Sequence, residues 1–189
     1  MTPDPGVPLG FGRQSSSPEP AACPCGGGAY GSCCGPLIAG EQLAVTAEQL
    51  MRSRYSAFAL GASDPEAIEH LLRTHPETSQ TAAARRKALK ESCRIIQWLR
   101  LKVLDCQNGG PLDQHGTVTF EARWRDRDRR EGVLRECSRF CRGESGEWLY
   151  LEALSLGDVH AGSTGKRFWL QPVLRFPRDD PAWLATVER

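Results

Sequence analysis

The sequence predicts an α+β fold, with helices packed on a curled antiparallel sheet and a zinc knuckle near the N-terminus. Three observations support this prediction. Four cysteines lie within twelve residues, at positions 23–34. Apolar residues then recur with the 3.6-residue period of helices up to about residue 93, and with the two-residue period of strands from residue 98 onward. Helices followed by a run of strands are typical of α+β architecture.

The bulk properties describe one ordinary domain with small appendages. The chain has 189 residues, 40% of them hydrophobic, and a formal net charge of +1. This charge gives no indication of bulk binding to polyanions. No apolar run approaches the roughly 18 to 20 residues needed to cross a membrane. We therefore expect no membrane partner.

The first 22 residues predict a disordered tail, because they are rich in Pro, Gly and Ser and cannot bury much apolar surface. They lack the basic start and continuous apolar core of a signal peptide. We therefore expect a cytoplasmic location. In that reducing compartment, cysteines serve as metal ligands or buried thiols rather than as disulfides.

The cysteine cluster has the spacing of a structural zinc site. Cys23 and Cys25 are followed, after seven residues, by Cys33 and Cys34, and a tetrahedral Zn²⁺ accepts four thiolates. The spacer is small and flexible except for Tyr30, which is placed to cover the metal. Four protein ligands leave no open position for water or substrate, so the predicted zinc is structural rather than catalytic. A redox-active thiol cluster is the alternative.

Three helices are predicted after the knuckle. The first begins at a capping box formed by Thr46 and Gln49. The second begins with Asp64 as its N-cap and Pro65 as its first helical residue. The third is basic along its first two turns. The predicted segments are a linker at 37–45 and helices at 46–60, 64–75 and 81–93.

Four strands come after the helices. The second alternates most cleanly, with Val118, Phe120, Ala122 and Trp124 on one face. A four-stranded meander that curls over helices forms a cone with one open end, which is the nuclear-transport-factor-like or cystatin-like roll. A C-terminal extension then forms either a strap along the domain or a loose tail. The predicted strands cover 98–104, 117–125, 133–141 and 148–153, and the extension covers 154–189.

Several motifs resemble the YchJ family of uncharacterised proteins. Cys23-Pro24-Cys25-Gly26 and Cys33-Cys34-Gly35-Pro36 resemble a SEC-C motif, the zinc knuckle named after the C-terminus of the SecA translocation ATPase. Arg52-Ser53-Arg54-Tyr55 resembles the segment after that knuckle in the YchJ family. The resemblance implies a nuclear-transport-factor-like roll at 37–153 after a knuckle at 23–36. Further similar pieces are His75-Pro76, Trp98-Leu99, residues 136–140 and Trp148-Leu149-Tyr150.

The open end of the predicted cone is the natural place for a small-molecule site. A histidine and a glutamate that converge there have the chemistry for general acid–base catalysis. We favour a structural role instead, with an ion pair between Arg54 and Glu136 that locks helix to sheet. The same interpretation has His75 capping a helix end. The polar candidates for a pocket are Arg52, Arg54, Tyr55, His75, Trp98 and Glu136.

Five arginines lie between residues 123 and 130. A basic patch of this kind can contact RNA. The segment contains no interleaved aromatic residues after Trp124 and no recognised nucleic-acid motif. The pattern therefore favours a solvated charged turn, and we do not expect a nucleic-acid partner.

These observations favour a non-enzymatic docking or adaptor protein that contacts a protein partner or the ribosome through its knuckle. In SecA, the similar knuckle contacts a chaperone and the ribosome. An enzyme or small-molecule binder that uses the cone is the second hypothesis, and a redox or zinc sensor is the third. Because the knuckle has almost no core of its own, we expect metal binding to fold it independently of the roll.

Overall fold

The computed structural model describes residues 22–159 and places helices before a four-stranded antiparallel sheet. This order confirms the α+β prediction. The predicted tail, apart from Ala22, and the end of the C-terminal extension lie outside the described residues. The helices are α1 (Gly35–Ala39), α2 (Ala47–Leu60), α3 (Pro65–Arg73) and α4 (Ala82–Ile95), and the strands are β1 (Gln97–Asn108), β2 (His115–Arg125), β3 (Glu131–Arg142) and β4 (Trp148–Val159).

Side-chain caps fix the starts of the three long helices. The Thr46 hydroxyl accepts a hydrogen bond from the Gln49 amide at 3.1 Å. Asp64 caps α3 and Thr81 caps α4 in the same way. The predicted linker at 37–45 contains part of a further helix, α1. Five residues are too few to show a helical period, so the sequence pattern did not reveal it.

The sheet has the simple order β1-β2-β3-β4, with each strand antiparallel to the next. Its inner face carries the alternating residues predicted for β2, of which Val118 and Ala122 are each 1% exposed. All four strands are longer than predicted. In β1 the added C-terminal end is polar and exposed, which hides it from a hydrophobic pattern. Strand β4 continues to Val159, past the predicted boundary at 153.

Two buried clusters hold the helices on the sheet. One joins Leu50 and Met51 of α2 to Phe140 and Trp148 of the sheet. The other lies between α2, α3 and α4 and also includes three of the four knuckle cysteines. The knuckle is therefore attached to the core at the helical side of the roll. No helix in the part of the chain that the structure describes is long and apolar enough to cross a membrane.

Candidate metal centre

The four predicted cysteine sulfurs converge on one point. The Sγ atoms of Cys25 and Cys23 are 3.4 Å apart, those of Cys25 and Cys33 are 3.5 Å apart, and those of Cys25 and Cys34 are 3.6 Å apart. All four sulfurs lie within 4.8 Å of one another. A tetrahedral ion with metal–sulfur bonds of about 2.3 Å separates its ligands by about 3.8 Å. The observed spacing therefore fits one tetrahedral metal ion, and none of the eight cysteines forms a disulfide.

Glycine geometry brings the two cysteine pairs together. Gly26 and Gly28 have φ angles of +79° and +116°, which side-chain-bearing residues rarely adopt. A Cβ atom on Gly27 would lie 2.9 Å from the Cys33 sulfur. The Cys23 amide donates to the Gly28 carbonyl at 2.7 Å, which closes the loop. Each glycine in this run therefore has a steric reason to be glycine.

The knuckle packs into the core of the roll. Cys23, Cys25 and Cys34 are at most 5% exposed and share a cluster with Tyr55 and Ile68. Independent folding of the knuckle stays a prediction, and this shared cluster weighs against it, because the cysteines also line the packing surface of α2 and α3. Tyr30, the predicted cover, is also buried there and packs against Gly35.

Polar groups of α2 reach the cluster from outside. The Ser56 hydroxyl lies 3.5 Å from the Cys23 sulfur, and Arg52 donates a 3.3 Å hydrogen bond to the Cys25 carbonyl. Arg52 is also paired with Glu48 at 2.7 Å. The sequence pattern did not single out Ser56, because a serine one helical turn after Arg52 has no signature of its own. Outer contacts of this kind orient metal ligands.

The thiols have opposed proton affinities. Hydrogen bonds from the Cys25 and Cys34 thiols lower the pKa of Cys23. Burial, together with contacts to the neighbouring thiols, raises the pKa of Cys33 to about 12. Four thiolates at this spacing need a cation to neutralise them. The donor set therefore suits a divalent metal with a preference for sulfur.

The predicted ion pair between Arg54 and Glu136 is wrong. Arg54 donates to the Leu71 carbonyl at 3.2 Å and to the Thr74 hydroxyl at 2.6 Å. No ion pair joins it to a carboxylate among the described residues. Its guanidinium lies over the ring of Tyr150, 4.7 Å from the centroid, because the side chain of Tyr150 reaches in from β4.

Glu136 is held at the hydroxyl end of the same tyrosine. Its Oε1 atom accepts hydrogen bonds from Ser138 and, at 3.2 Å, from the Tyr150 hydroxyl. Glu136 is 5% exposed, and burial raises its pKa. Burial lowers the pKa of Arg54 to about 10, so that side chain stays charged at neutral pH. The guanidinium of Arg54 and the carboxyl group of Glu136 therefore both contact Tyr150 rather than each other.

His75 belongs to the same buried group. Its ring packs edge-on against Tyr150 at 5.4 Å, and its carbonyl accepts a 2.9 Å hydrogen bond from Arg85. Thr74 rather than His75 is the C-cap of α3. Burial and the charges of Arg54 and Arg85 lower the pKa of His75 to about 3, so the imidazole is neutral at physiological pH.

The predicted pocket residues fall into two groups. Tyr55 and Trp98 pack edge-to-face at 5.9 Å beside the knuckle cluster, whereas Arg54, His75 and Glu136 surround Tyr150. The side chains of Arg54 and Tyr55, which are adjacent on α2, point in different directions. Arg54 therefore joins the group around Tyr150, and Tyr55 joins the group beside the knuckle. Within the described residues these side chains fill the interior with packed rings and satisfied polar groups. That arrangement is typical of a structural network.

Sequence reasoning also missed a buried serine–histidine pair. The Ser53 hydroxyl lies 2.9 Å from Nε2 of His70, and Arg73 contacts Nδ1 of the same ring at 3.0 Å. Ser53 and His70 are 0% and 2% exposed. Such burial leaves no access for a substrate, so this pair stabilises the contact between α2 and α3.

A groove of about 390 Å³ runs between the knuckle and the first strand. Three cationic side chains line it, together with backbone from both walls. No sequence pattern predicted this groove, because its walls lie about 75 positions apart in the chain and meet only after folding. The lining residues are Pro24, Cys25, Gly26, Arg52 and the β1 segment 99–103.

Comparison with known proteins agrees with this architecture. A family model described as "YchJ, middle NTF2-like domain" matches residues 46–153. A UPF0225 protein of Chromobacterium violaceum is 42% identical over 71% of this chain and 93% of the relative. A UPF0225 protein of Ralstonia nicotianae is 43% identical over 74% of this chain and 96% of the relative.

A solved structure has a similar fold. It is the solution structure of a SEC-C motif containing protein from Rhodopseudomonas palustris, with 31% sequence identity and a TM-score of 0.58. The match covers 72% of this chain and 99% of that one. The description of that protein names the same cysteine motif that the sequence of this chain resembles. The similarity of the two structures supports the nuclear-transport-factor-like roll predicted from the strand pattern.

Proposed function

This chain belongs to the YchJ family, and from that premise we propose that it is a zinc-binding docking protein rather than an enzyme. The four converging sulfurs carry the proposal. A tetrahedral all-sulfur site selects zinc among common cellular divalent ions and leaves no open position for chemistry. The metal then has a structural role, which is to hold one exposed loop on the surface of the roll.

The loop that the metal holds is well placed for contact with a partner. Residues 26–29 are exposed, although Cys25 before them and Tyr30 after them are buried. A loop that is fixed at both ends by metal ligands loses little entropy on binding. The similar knuckle of SecA contacts a chaperone and the ribosome, so a protein partner or the ribosome is the class that we propose here. The cytoplasm is the compartment in which such partners occur.

The interior of the roll does not favour the enzyme hypothesis. Arg54 and Glu136, the charged candidates for a pocket, are 8% and 5% exposed and are held by hydrogen bonds within the protein. We therefore place the functional surface on the outside, at the knuckle.

Affinity capture tests the proposal. We expect wild-type protein to hold one zinc ion per chain and to retain a specific partner or sedimenting ribosomes. Cys33→Ser should lose both. Cys106→Ser is the matched control, because Cys106 is exposed on β1 and is not a predicted ligand. Partner retention that is equal in Cys33→Ser, Cys106→Ser and wild type, with zinc lost only from the first, would contradict a docking role for the knuckle.

A further inference from the structure

The first strand of the sheet has an unpaired edge. In the order β1-β2-β3-β4, one side of β1 has no partner strand among the described residues. Its pairing with β2 is irregular between Trp98 and Arg100 and again between Val103 and Asp105. Residues 100–103 pair regularly between these two points. A short regular edge exposes backbone N–H and C=O groups that can bind one further strand.

The knuckle turns this edge into a groove. The lining of the 390 Å³ cavity includes five consecutive residues of β1, 99–103. Consecutive residues of a strand point to opposite faces, so a cavity that touches all five lies along the edge. Pro24, Cys25 and Gly26 form the facing wall. The exposed length of strand is about 13 Å, since each residue adds about 3.3 Å.

The groove has an alternating chemical pattern. Arg100 and Lys102 lie on the outer face of β1, are exposed, and have no ion-pair partner in the described part of the chain. Leu101 and Val103 lie on the other face and are partly buried. On β2, Arg123 stands opposite Arg100 and is paired with Glu131. Glu121 stands opposite Lys102. A strand that alternates acidic and apolar residues matches this pattern on both faces.

Arg52, the third cationic residue of the groove, has a structural role. It is paired with Glu48 and donates to the Cys25 carbonyl, so it holds the knuckle wall against α2. The cations available to a ligand are therefore Arg100 and Lys102. Charged residues on an edge strand also discourage aggregation. A facing wall is not needed for that purpose, and it gives a single extended chain surface to contact on two sides.

We propose that the groove binds an extended acidic segment of a protein partner, which adds as a strand to the free edge of β1. The segment's acidic side chains face Arg100 and Lys102, and its apolar side chains lie beside Leu101 and Val103. This inference rests on the proposed docking function and names its partner as an extended chain with alternating acidic and apolar residues. RNA, whose phosphates carry the same charge, is the competing class.

Fluorescence anisotropy with the full-length, zinc-loaded protein tests the groove. The probe is a fluorescein-labelled eight-residue peptide of alternating Glu and Val. We expect R100E/K102E to weaken its binding at least tenfold and to bind the corresponding Lys–Val peptide instead. K87E/K90E is the matched control, because it changes the net charge equally on the exposed side of α4. It should leave binding within twofold of wild type.

Backbone pairing has its own readout. The acidic peptide should slow amide hydrogen exchange within residues 99–103, and a peptide with a central proline should bind at least tenfold more weakly, because proline lacks the N–H that pairs with the edge. Equal binding of the acidic peptide to wild type and R100E/K102E would overturn the proposal. So would tighter binding of labelled oligouridylate than of the peptide, which would assign the cations to RNA.

These outcomes are separable from those of the docking experiment. Partner capture that depends on Cys33 but survives R100E/K102E would keep the knuckle function and refute the groove. Peptide binding that depends on Arg100 and Lys102, with partner capture unaffected by Cys33→Ser, would keep the groove and refute the knuckle function.

Discussion

The guanidinium of Arg54 lies over the ring of Tyr150, and the hydroxyl of that tyrosine donates to Glu136. One side chain of β4 therefore contacts both the buried cation of α2 and the buried carboxyl of β3. The roll thus holds a cationic side chain and a carboxyl group in its interior without a direct ion pair. This arrangement makes Tyr150 the residue whose loss affects both groups.

The first prediction concerns this arrangement. Tyr150→Phe should lower the free energy of unfolding by about 1 to 3 kcal/mol, because the buried Glu136 loses a hydrogen-bond donor. A double-mutant cycle of Tyr150→Phe with Glu136→Gln should give a coupling energy of at least about 0.5 kcal/mol. Urea unfolding of the four proteins provides the measurement.

The matched cycle pairs Arg54→Met with Glu136→Gln. Since these residues do not touch, its coupling energy should be smaller than that of the tyrosine cycle. A direct buried ion pair would reverse the order, because removing one partner then leaves the other charge uncompensated at a cost of about 3 to 5 kcal/mol. The larger value in the arginine cycle would therefore restore the ion pair expected from the sequence.

A second prediction concerns the packing of the knuckle. Cys23, Cys25 and Cys34 share a buried cluster with α2 and α3. Removal of metal with a chelator should therefore lower the thermal midpoint of the whole domain. A ligand at 100 times its dissociation constant contributes about 2.7 kcal/mol to stability, so the loss should be at least of this order. Calorimetry with and without chelator measures it.

The alternative outcome is the one expected from the sequence alone, in which the knuckle folds independently of the roll. If the knuckle were independent, chelation would release the metal and leave the main cooperative transition in place. Elemental analysis of the chelated sample must accompany the melt, since only a sample shown to be metal-free distinguishes the two cases. An unchanged midpoint in that sample would contradict the shared core.

Features that depend on nearby residues were predicted from the sequence, whereas features that depend on how distant elements pack were not. Local signals were sufficient for the caps of α2 and α3 and for the alternating face of β2, because each depends on residues within a few positions of one another. The cysteine spacing likewise indicated the cluster. Tyr150 and the groove beside β1 could not be predicted, because they depend on how separate elements approach. The C-terminal end of β4 lies beyond Ala153, where the resemblance to the family ends, so the sequence provided no boundary for this strand.

A third prediction assigns a positioning role to Ser56, whose hydroxyl lies 3.5 Å from the Cys23 sulfur. A donor to a metal-bound thiolate orients the ligand and reduces its charge. Ser56→Ala should weaken zinc retention by about tenfold to a hundredfold, the usual effect of losing such an outer contact. Competition with a chromophoric chelator measures the affinity.

Ser53→Ala is the matched control for Ser56→Ala. Both serines are 0% exposed on α2, but Ser53 bonds to His70 and the Leu50 carbonyl rather than to the cluster. The control should lose stability while it keeps wild-type zinc affinity. Equal zinc affinity in both variants would mean that the Ser56 contact does not act on the metal site.

The last prediction concerns acid sensitivity. The pKa of His75 is lowered to about 3 by burial and by the charges of Arg54 and Arg85, whereas an unfolded histidine has a pKa near 6.5. Below pH 6.5, His75 therefore binds a proton in the unfolded chain but stays neutral in the folded protein. The free energy of unfolding falls as a result until the pH approaches 3. One such histidine costs about 1 kcal/mol between pH 7 and pH 5.5.

His75→Gln should remove that share of the decline, as measured by urea unfolding at both pH values with metal content checked at each. The buried His70, whose pKa is also lowered by burial, supplies a further share that this variant leaves in place. An identical decline in His75→Gln would show that His75 titrates in the folded protein as it does in the unfolded chain.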